Sequence, residues 1–277
     1  MKPEALVGLV VPATFLILLA IESRNAVRQF EPVRRWALTG TLFFLLVMAI
    51  GALTPLLLPF AGLQTGRWLD LSGLGMLGVV PGLLAATLLL YWFHRAEHRF
   101  DWLWRATHQL HHSALRVDIL GAYVAHPLEV LVKVSASTSS SVYLLGLTPM
   151  AAALVGVISA LLSLFQHWNI RTPRWLGYVI PRPESHCLHH ERDRHARNYG
   201  DLPLWDQLFG TFENPRVDFD GQVGFDPSSR IGIVDMLLMR SAASARAAAC
   251  RRPLAASCLT RHSHIHVLRG FSRDFPR

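Results

Sequence analysis

"THQLHHS", from Thr107 to Ser113, and "SHCLHHE", from Ser185 to Glu191, write one pattern twice. A histidine is followed, three and four positions on, by an adjacent histidine pair. "HRAEH" adds a third box with His94 and His98. Residues three and four apart are neighbours on a helix, so the rings of each box can turn to one side. An adjacent pair differs by about 100° around a helix of 3.6 residues per turn. His111 and His112 therefore do not easily aim at one point, but they can serve two neighbouring metals. His189 and His190, beside His186, repeat that geometry, while Leu110 and Leu188 fall on another face and can pack against protein. Neutral imidazole suits iron, zinc, copper and nickel. Eight imidazoles exceed what one ion can take, so the pattern points to a dinuclear centre.

All 14 histidines lie at position 94 or later, and the long apolar runs before them have none. Surface decoration would not sort this way. His167, in "QHWN", comes back from an apolar block toward the same face and is read as a ninth ligand. His126 in "HPLE" and His195 in "RHARNYG" each stand alone, and are read as an extra ligand or as support behind the ligands. Asn169 and Asn198 are placed in the same supporting class. Carboxylates such as Glu97, Asp101, Glu184 and Glu191 can orient ring nitrogens from behind, with a solvated surface position as the plain alternative. "RHSHIH" (His262, His264, His266) has period two and receives no function.

The elements that must carry these boxes are apolar. Of the 277 residues 51% are hydrophobic and only 17% charged, against roughly 25% charged in soluble domains. The apolar residues are clumped: Ala5 to Ile21, Trp36 to Phe60 and Leu74 to Phe93 are each long enough to cross a bilayer. The first run lacks a small-x-small cleavage site, so it reads as a retained span rather than a signal peptide. Pro55 and Pro59 interrupt the second near its far end, and Pro81 should kink the third, as membranes tolerate. Arg24, Arg28, Arg34 and Arg35 make the first linker cytoplasmic by the positive-inside rule, which sends the end of the third span, with His94, to the cytoplasm. Residues 127–166 form a second membrane block with Pro149 where a new helix would begin. Two arms joined there make a hairpin that enters and leaves on the His94 side, and "SASTSSS" leaves open a shallow re-entrant first arm. The expected fold is all-α: a polytopic membrane protein with a cytoplasmic helical cap around a dinuclear His site. Residues 1–73 hold the N-terminal spans, 74–240 the catalytic region, and 241–277 a basic tail expected to be disordered.

A net charge of +8 fits membrane anchoring beside anionic headgroups, and no recognition helix, RNP strand or zinc-finger spacing supports nucleic-acid binding. Three cysteines without a C-x-x-C pair give no disulfide framework. At its boxes the chain resembles the fatty acid hydroxylase/sterol desaturase superfamily of integral-membrane oxidoreductases. The resemblance rests on "HRAEH", "HQLHH", "HPLE", "QHWN", "HCLHH" and the closing "NYGDLPLWDQLFGTF", and covers about residues 75–235. It implies two iron ions, O2 as co-substrate and a lipid substrate such as a fatty acyl chain or sterol. The implied ligands are His94, His98, His108, His111, His112, His186, His189 and His190, with His167 added. Some members carry a further histidine four residues before the equivalent of His167, where this chain has Ser163. No dinucleotide, iron–sulfur or haem motif is present, so a separate electron donor (reductase, ferredoxin or cytochrome) is implied, and the bacterial inner membrane is the expected location. In the closing segment Trp205, Leu208 and Phe209 form an apolar face, read equally as a lid under the metals or as the ordinary packing of a terminal helix. Two rivals are a zinc-dependent membrane hydrolase, which would want H-E-x-x-H, and a non-enzymatic metal-binding protein.

Overall fold

The computed structural model describes residues 3–57, 68–192, 194, 196–226 and 229–241. Among these the chain is helical, with one isolated bridge between Glu191 and Val223 and no strand. α1 (Pro3–Asn25), α2 (Trp36–Leu57) and α3 (Val79–Arg99) are followed by α4 (Asp101–Leu103), a π turn (Trp104–His108) and α5 (Gln109–His112). Then come α6 (Pro127–Ser139), a second π turn (Ser140–Leu144), α7 (Pro149–His167), α8 (Pro183–His189), α9 (Pro203–Phe209) and α10 (Ile233–Leu237). Residues 242–277, which hold almost all of the expected tail and all three "RHSHIH" histidines, lie outside the described residues.

Four helices are long and apolar enough to cross a membrane: Leu6–Asn25, Trp36–Thr54, Ser72–Arg99 and Pro149–His167. Their outward faces leave large apolar side chains uncovered, Leu16 at 64% and Leu42 at 57% among them. So much exposed apolar surface is untenable in water and ordinary against acyl chains. The protein is a polytopic helical membrane protein.

The expected hairpin is present, and its chemistry is local. Thr148, in extended conformation, accepts the Ala151 amide, and Pro149 opens α7 where its missing N–H costs nothing. His126 caps α6 in the same way, accepting from Leu128 N, with Pro127 at the first helical position. α6 falls short of the length for a span, but the π turn carries it on to Leu145. There Leu145 and Leu144 accept the amides of Leu71 and Leu69, beside the start of α3. At 1.5 Å per residue the 18 residues from Pro127 to Leu144 rise about 27 Å, close to the hydrocarbon thickness. The serine-rich arm thus runs as deep as its neighbours.

One expectation is corrected. Pro81 does not kink the third span, because it sits in the first turn of α3, where proline is at home. The break lies earlier, at Gly75, whose φ of 54° no ordinary side chain favours.

Packing brings the helix ends together. α6 lies against α2, α3 and α7, and α1 against α7. Phe15 of α1 stacks on Phe44 of α2 at 4.0 Å, and Phe44 meets Tyr123. Close approach is set by glycine: a Cβ on Gly40 would stand 2.4 Å from the Leu120 carbonyl oxygen, and one on Gly82 would stand 2.6 Å from Val155. Gly40→Val is expected to cost about 1–3 kcal/mol of stability, because the neighbour it meets is backbone. A thermal-unfolding midpoint in detergent that matches the parent would refute this.

Candidate metal centre

The histidine-bearing elements end on one side of the bundle. α3 delivers His94 and His98 in its last turns, and α5 delivers His111 and His112. α7 ends at His167, and α8, seven residues long, delivers His186 and His189 just before His190. His108 closes the π turn, so the first box is not one regular helix. The extra residue in that turn resets the direction of His108 relative to the pair that follows, the kind of local insertion π turns make at functional sites.

The nine rings gather in two groups. His94, His98, His108, His112 and His189 form the first; His111, His167, His186 and His190 form the second. Within each, one nitrogen per ring lies within 4.8 Å of every other. Each adjacent pair divides between the groups: His111 goes to the second and His112 to the first, His190 to the second and His189 to the first. The groups touch where His112 and His190 stack, centroids 4.2 Å apart.

The inward atoms are Nε2. His94 and His108 present theirs 2.8 Å apart, His94 and His98 3.2 Å, and His112 and His189 3.1 Å. In the second group His186 lies 3.1 Å from His167 and 3.0 Å from His190 by the same atoms. Nitrogens bonded to a metal at about 2.1 Å stand about 3.0 Å apart as octahedral neighbours and about 3.4 Å apart in a tetrahedron. The observed spacings fit the octahedral edge, and five rings in one group exceed a tetrahedral shell.

The outward atoms fix the tautomers. Nδ1 of His94 meets the Tyr199 carbonyl at 2.7 Å, that of His111 the Val124 carbonyl at 3.2 Å, and that of His167 the Ser163 carbonyl at 2.9 Å. His189 meets the Arg197 carbonyl at 2.7 Å and His108 the Glu129 carboxylate at 2.8 Å. These oxygens accept only, so each Nδ1 donates its hydrogen and each Nε2 keeps its lone pair. Burial holds the His111 ring down to about 3, with His167 adding to the effect. Desolvation and neighbouring rings likewise hold His108, His186 and His190 well below the usual histidine value. The cage is neutral and ready to donate.

The acid behind His108 is Glu129, on the first turn of α6. It lies inside the "HPLE" motif, where its signal in the sequence is an acid four residues before Lys133, next to a helix start. Lys133 Nζ lies 2.5 Å from Glu129 and 3.7 Å from Glu97, so the third acid-rich group, Glu97 with His108 and Glu129, already holds a cation of its own. Of the four acids expected behind the ligands, only Glu97 approaches a ring, at 3.7 Å from His108. The others pair with arginines instead: Asp101 with Arg105, Glu184 with Arg28 and Arg182, Glu191 with Arg194. Guanidinium outcompetes imidazole for a carboxylate when both are in reach.

The other candidates fall outside the cage. His126 accepts the Leu128 amide on Nδ1 and donates from Nε2 to the Leu237 carbonyl at 3.2 Å, on α6 and α10. Asn169 joins the α1–α2 linker to the end of α7, and Asn198 donates to Ser185 O and accepts from Glu213 N. His195 lies outside the described residues. In the closing segment, Tyr199 is the side chain that meets the rings, 5.3 Å from His98 and 5.6 Å from His94 and His189. α9 packs against α3 instead: Phe209 stacks on Tyr91 and Trp205 donates to Thr87, while Leu208 stays 63% exposed. That segment is a buttress of α3 with Tyr199 as its only side chain over the cage.

An unfolded histidine takes its proton near pH 6.5, whereas these buried rings resist it until far lower. The unfolded chain therefore binds more protons below pH 6.5, and metal-free protein should lose stability as pH falls through that value. Unfolding midpoints after chelation should be flat above pH 7 and drop below 6.5 with a slope beyond the roughly 1.4 kcal/mol per pH unit of one group. A flat profile down to pH 5 would contradict the buried neutral cage. Removing the Glu129 charge, as Glu129→Gln, is expected to weaken metal retention about 10–100-fold, measured by competition with a chromophoric chelator.

Residues 79–211 match the family described as Fatty acid hydroxylase. An ornithine lipid hydroxylase of Rhizobium tropici is 33% identical over 199 residues, covering 63% of this chain and 59% of that protein. The alkylglycerol monooxygenase of Homo sapiens is 32% identical over 134 residues, 44% of this chain and 28% of that one. A very-long-chain aldehyde decarbonylase of Oryza sativa subsp. indica is 27% identical over 129 residues, 44% of this chain and 48% of that one. The matches thus span less than two thirds of each relative. No solved structure matches the chain.

Proposed function

Because residues 79–211 carry a domain of the fatty acid hydroxylase/sterol desaturase superfamily, we propose that the chain is a membrane-bound di-iron oxygenase that hydroxylates a lipid. The observation that carries the reading is the division of each doubled histidine between two groups of inward Nε2 atoms. The ligands are His94, His98, His108, His112 and His189 for one ion and His111, His167, His186 and His190 for the other. Two irons held there, with dioxygen and external electrons, would supply the oxidant that an unactivated C–H bond requires.

The chain's own part is position and dryness. Tyr199, Val124, Ser163 and Arg197 hold ring hydrogens outward through their carbonyls, and Glu129 does so for His108. Eight of the nine rings are buried and the ninth, His94, half-buried, which keeps bulk water from the ligands. The cage sits at the ends of apolar spans, so an acyl chain lying among them can reach it from the bilayer. Hydroxylation is favoured over desaturation by the hydroxylase and monooxygenase relatives, and a polar acyl lipid of the ornithine-lipid kind is the first substrate to test. Electrons come from a separate reductase, ferredoxin or cytochrome. The arginines of the first linker favour a cytoplasmic cage by the positive-inside rule, and the bacterial ornithine lipid hydroxylase relative makes a bacterial inner membrane the proposed location.

Metal analysis after anaerobic purification should find about two irons per chain; a single zinc and no iron would favour a hydrolase and sink the proposal. His111→Ala and His189→Ala, one from each group, should each abolish the hydroxylated lipid in an expressing strain while the protein still inserts. Full activity in either would remove the two-metal reading.

A further inference from the structure

Residues 1–35 precede the matched segment and contain no histidine. Two of their charged side chains are nevertheless buried against the histidine-bearing elements, Glu22 and Arg28, each 7% exposed. Glu22 Oε2 accepts the amide of Asn169 at 2.8 Å, two residues after His167, and the same carboxylate accepts the amide of Ile119 at 3.2 Å. The linker then closes on Asn169 from the other side. Val27 N donates to its carbonyl at 3.1 Å, Arg28 N to its side-chain oxygen at 2.9 Å, and Asn169 Nδ2 returns a bond to the Arg28 carbonyl at 2.8 Å.

The Arg28 guanidinium reaches further. Its Nη1 donates to the Ile170 carbonyl at 3.2 Å, and its Nη2 lies 3.4 Å from Glu184, two residues before His186. Glu184 is fully buried and also takes the Thr172 amide and hydroxyl and Arg182. α8 has only seven residues; helices that short do not hold themselves in water, so its position comes from what grips its ends. Arg28 therefore spans from the strand of chain leaving His167 to the helix carrying His186, whose Nε2 atoms stand 3.1 Å apart.

We infer that Glu22 and Arg28 are positioning residues for the second histidine group, so that the first span and its linker are part of the metal centre rather than an accessory anchor. The inference rests on the metal reading above. It is tested on the full-length protein in detergent, loaded with ⁵⁷Fe, using Arg28→Lys and Glu22→Gln. Lysine keeps a charge for Glu184 but lacks the fork that reaches Ile170 as well; glutamine keeps the size and one acceptor. Each variant is expected to retain about one iron per chain where the parent retains about two, losing one Mössbauer doublet and leaving the other unchanged. In the metal-free protein, amide exchange over residues 183–190 should quicken about tenfold while exchange in α2 and α3 stays as in the parent. Two irons, an unaltered spectrum and unaltered exchange in both variants would overturn the inference. So would loss of both irons with faster exchange throughout, which marks a role in the fold alone. A parent that binds no iron would defeat the functional reading instead, and the exchange comparison would still decide the positioning.

Discussion

Nine imidazoles, eight buried and His94 half-buried, crowd together here, and five of them are held by an acceptor on the outer nitrogen so that the lone pair of the other faces inward. Nitrogens about 3 Å apart with no hydrogen between them repel, and burying them leaves no water to relieve it. A cation at the centre of each group turns the repulsion into attraction. The protein prepares for this by spending five carbonyl or carboxylate acceptors on the opposite ring nitrogens. The nearby cation Lys133 is paired with Glu129 behind His108, and its charge further disfavours protonation of His108 and His111. The two short helices that carry ligand pairs are too brief to be stable alone. They are held by the long spans, whose lengths are fixed by the bilayer.

Much of this was legible in the sequence because the relevant geometry is local. The 100° step between adjacent helical residues is enough to say that a doubled histidine faces two ways, and each of the two pairs does divide between the groups. The turn at Pro149 and the three N-terminal apolar runs are likewise properties of stretches shorter than thirty residues. What the sequence concealed is of two kinds. Proline rules depend on where a helix starts: Pro81 inside an apolar run reads as a kink, but α3 begins only two residues before it. Partner choice across the chain has no local mark. Nothing near Glu184 says that it will meet Arg28 rather than a ring, and nothing near Glu22 says that it will hold residues 119 and 169. Glu129 was hidden for the opposite reason, being one more acid in a motif whose histidine drew attention and turned out to be a helix cap.

The two groups are unequal, five rings against four. On α7, Ser163 lies one turn before His167, and its carbonyl accepts the Nδ1 hydrogen of His167. One side of the cage is closed mainly by side chains of α3 and α5. The other relies on the end of α7 and on the small helix α8, which are joined to each other through the N-terminal linker. Anchoring is distributed accordingly. The first group inherits it from a long span, and the second from a network of buried ion pairs and backbone clasps.

The hairpin of α6 and α7 also governs when the centre can come into being. Five of the nine rings leave the ribosome before the hairpin and four at its end or after it. The first arm, rich in serine, is a poor candidate to enter a bilayer by itself, because each hydroxyl adds to the cost of insertion. The strongly apolar α7 packs beside it. Neither group is complete until the far end of the hairpin and α8 have been made, because each draws rings from both sides of the hairpin.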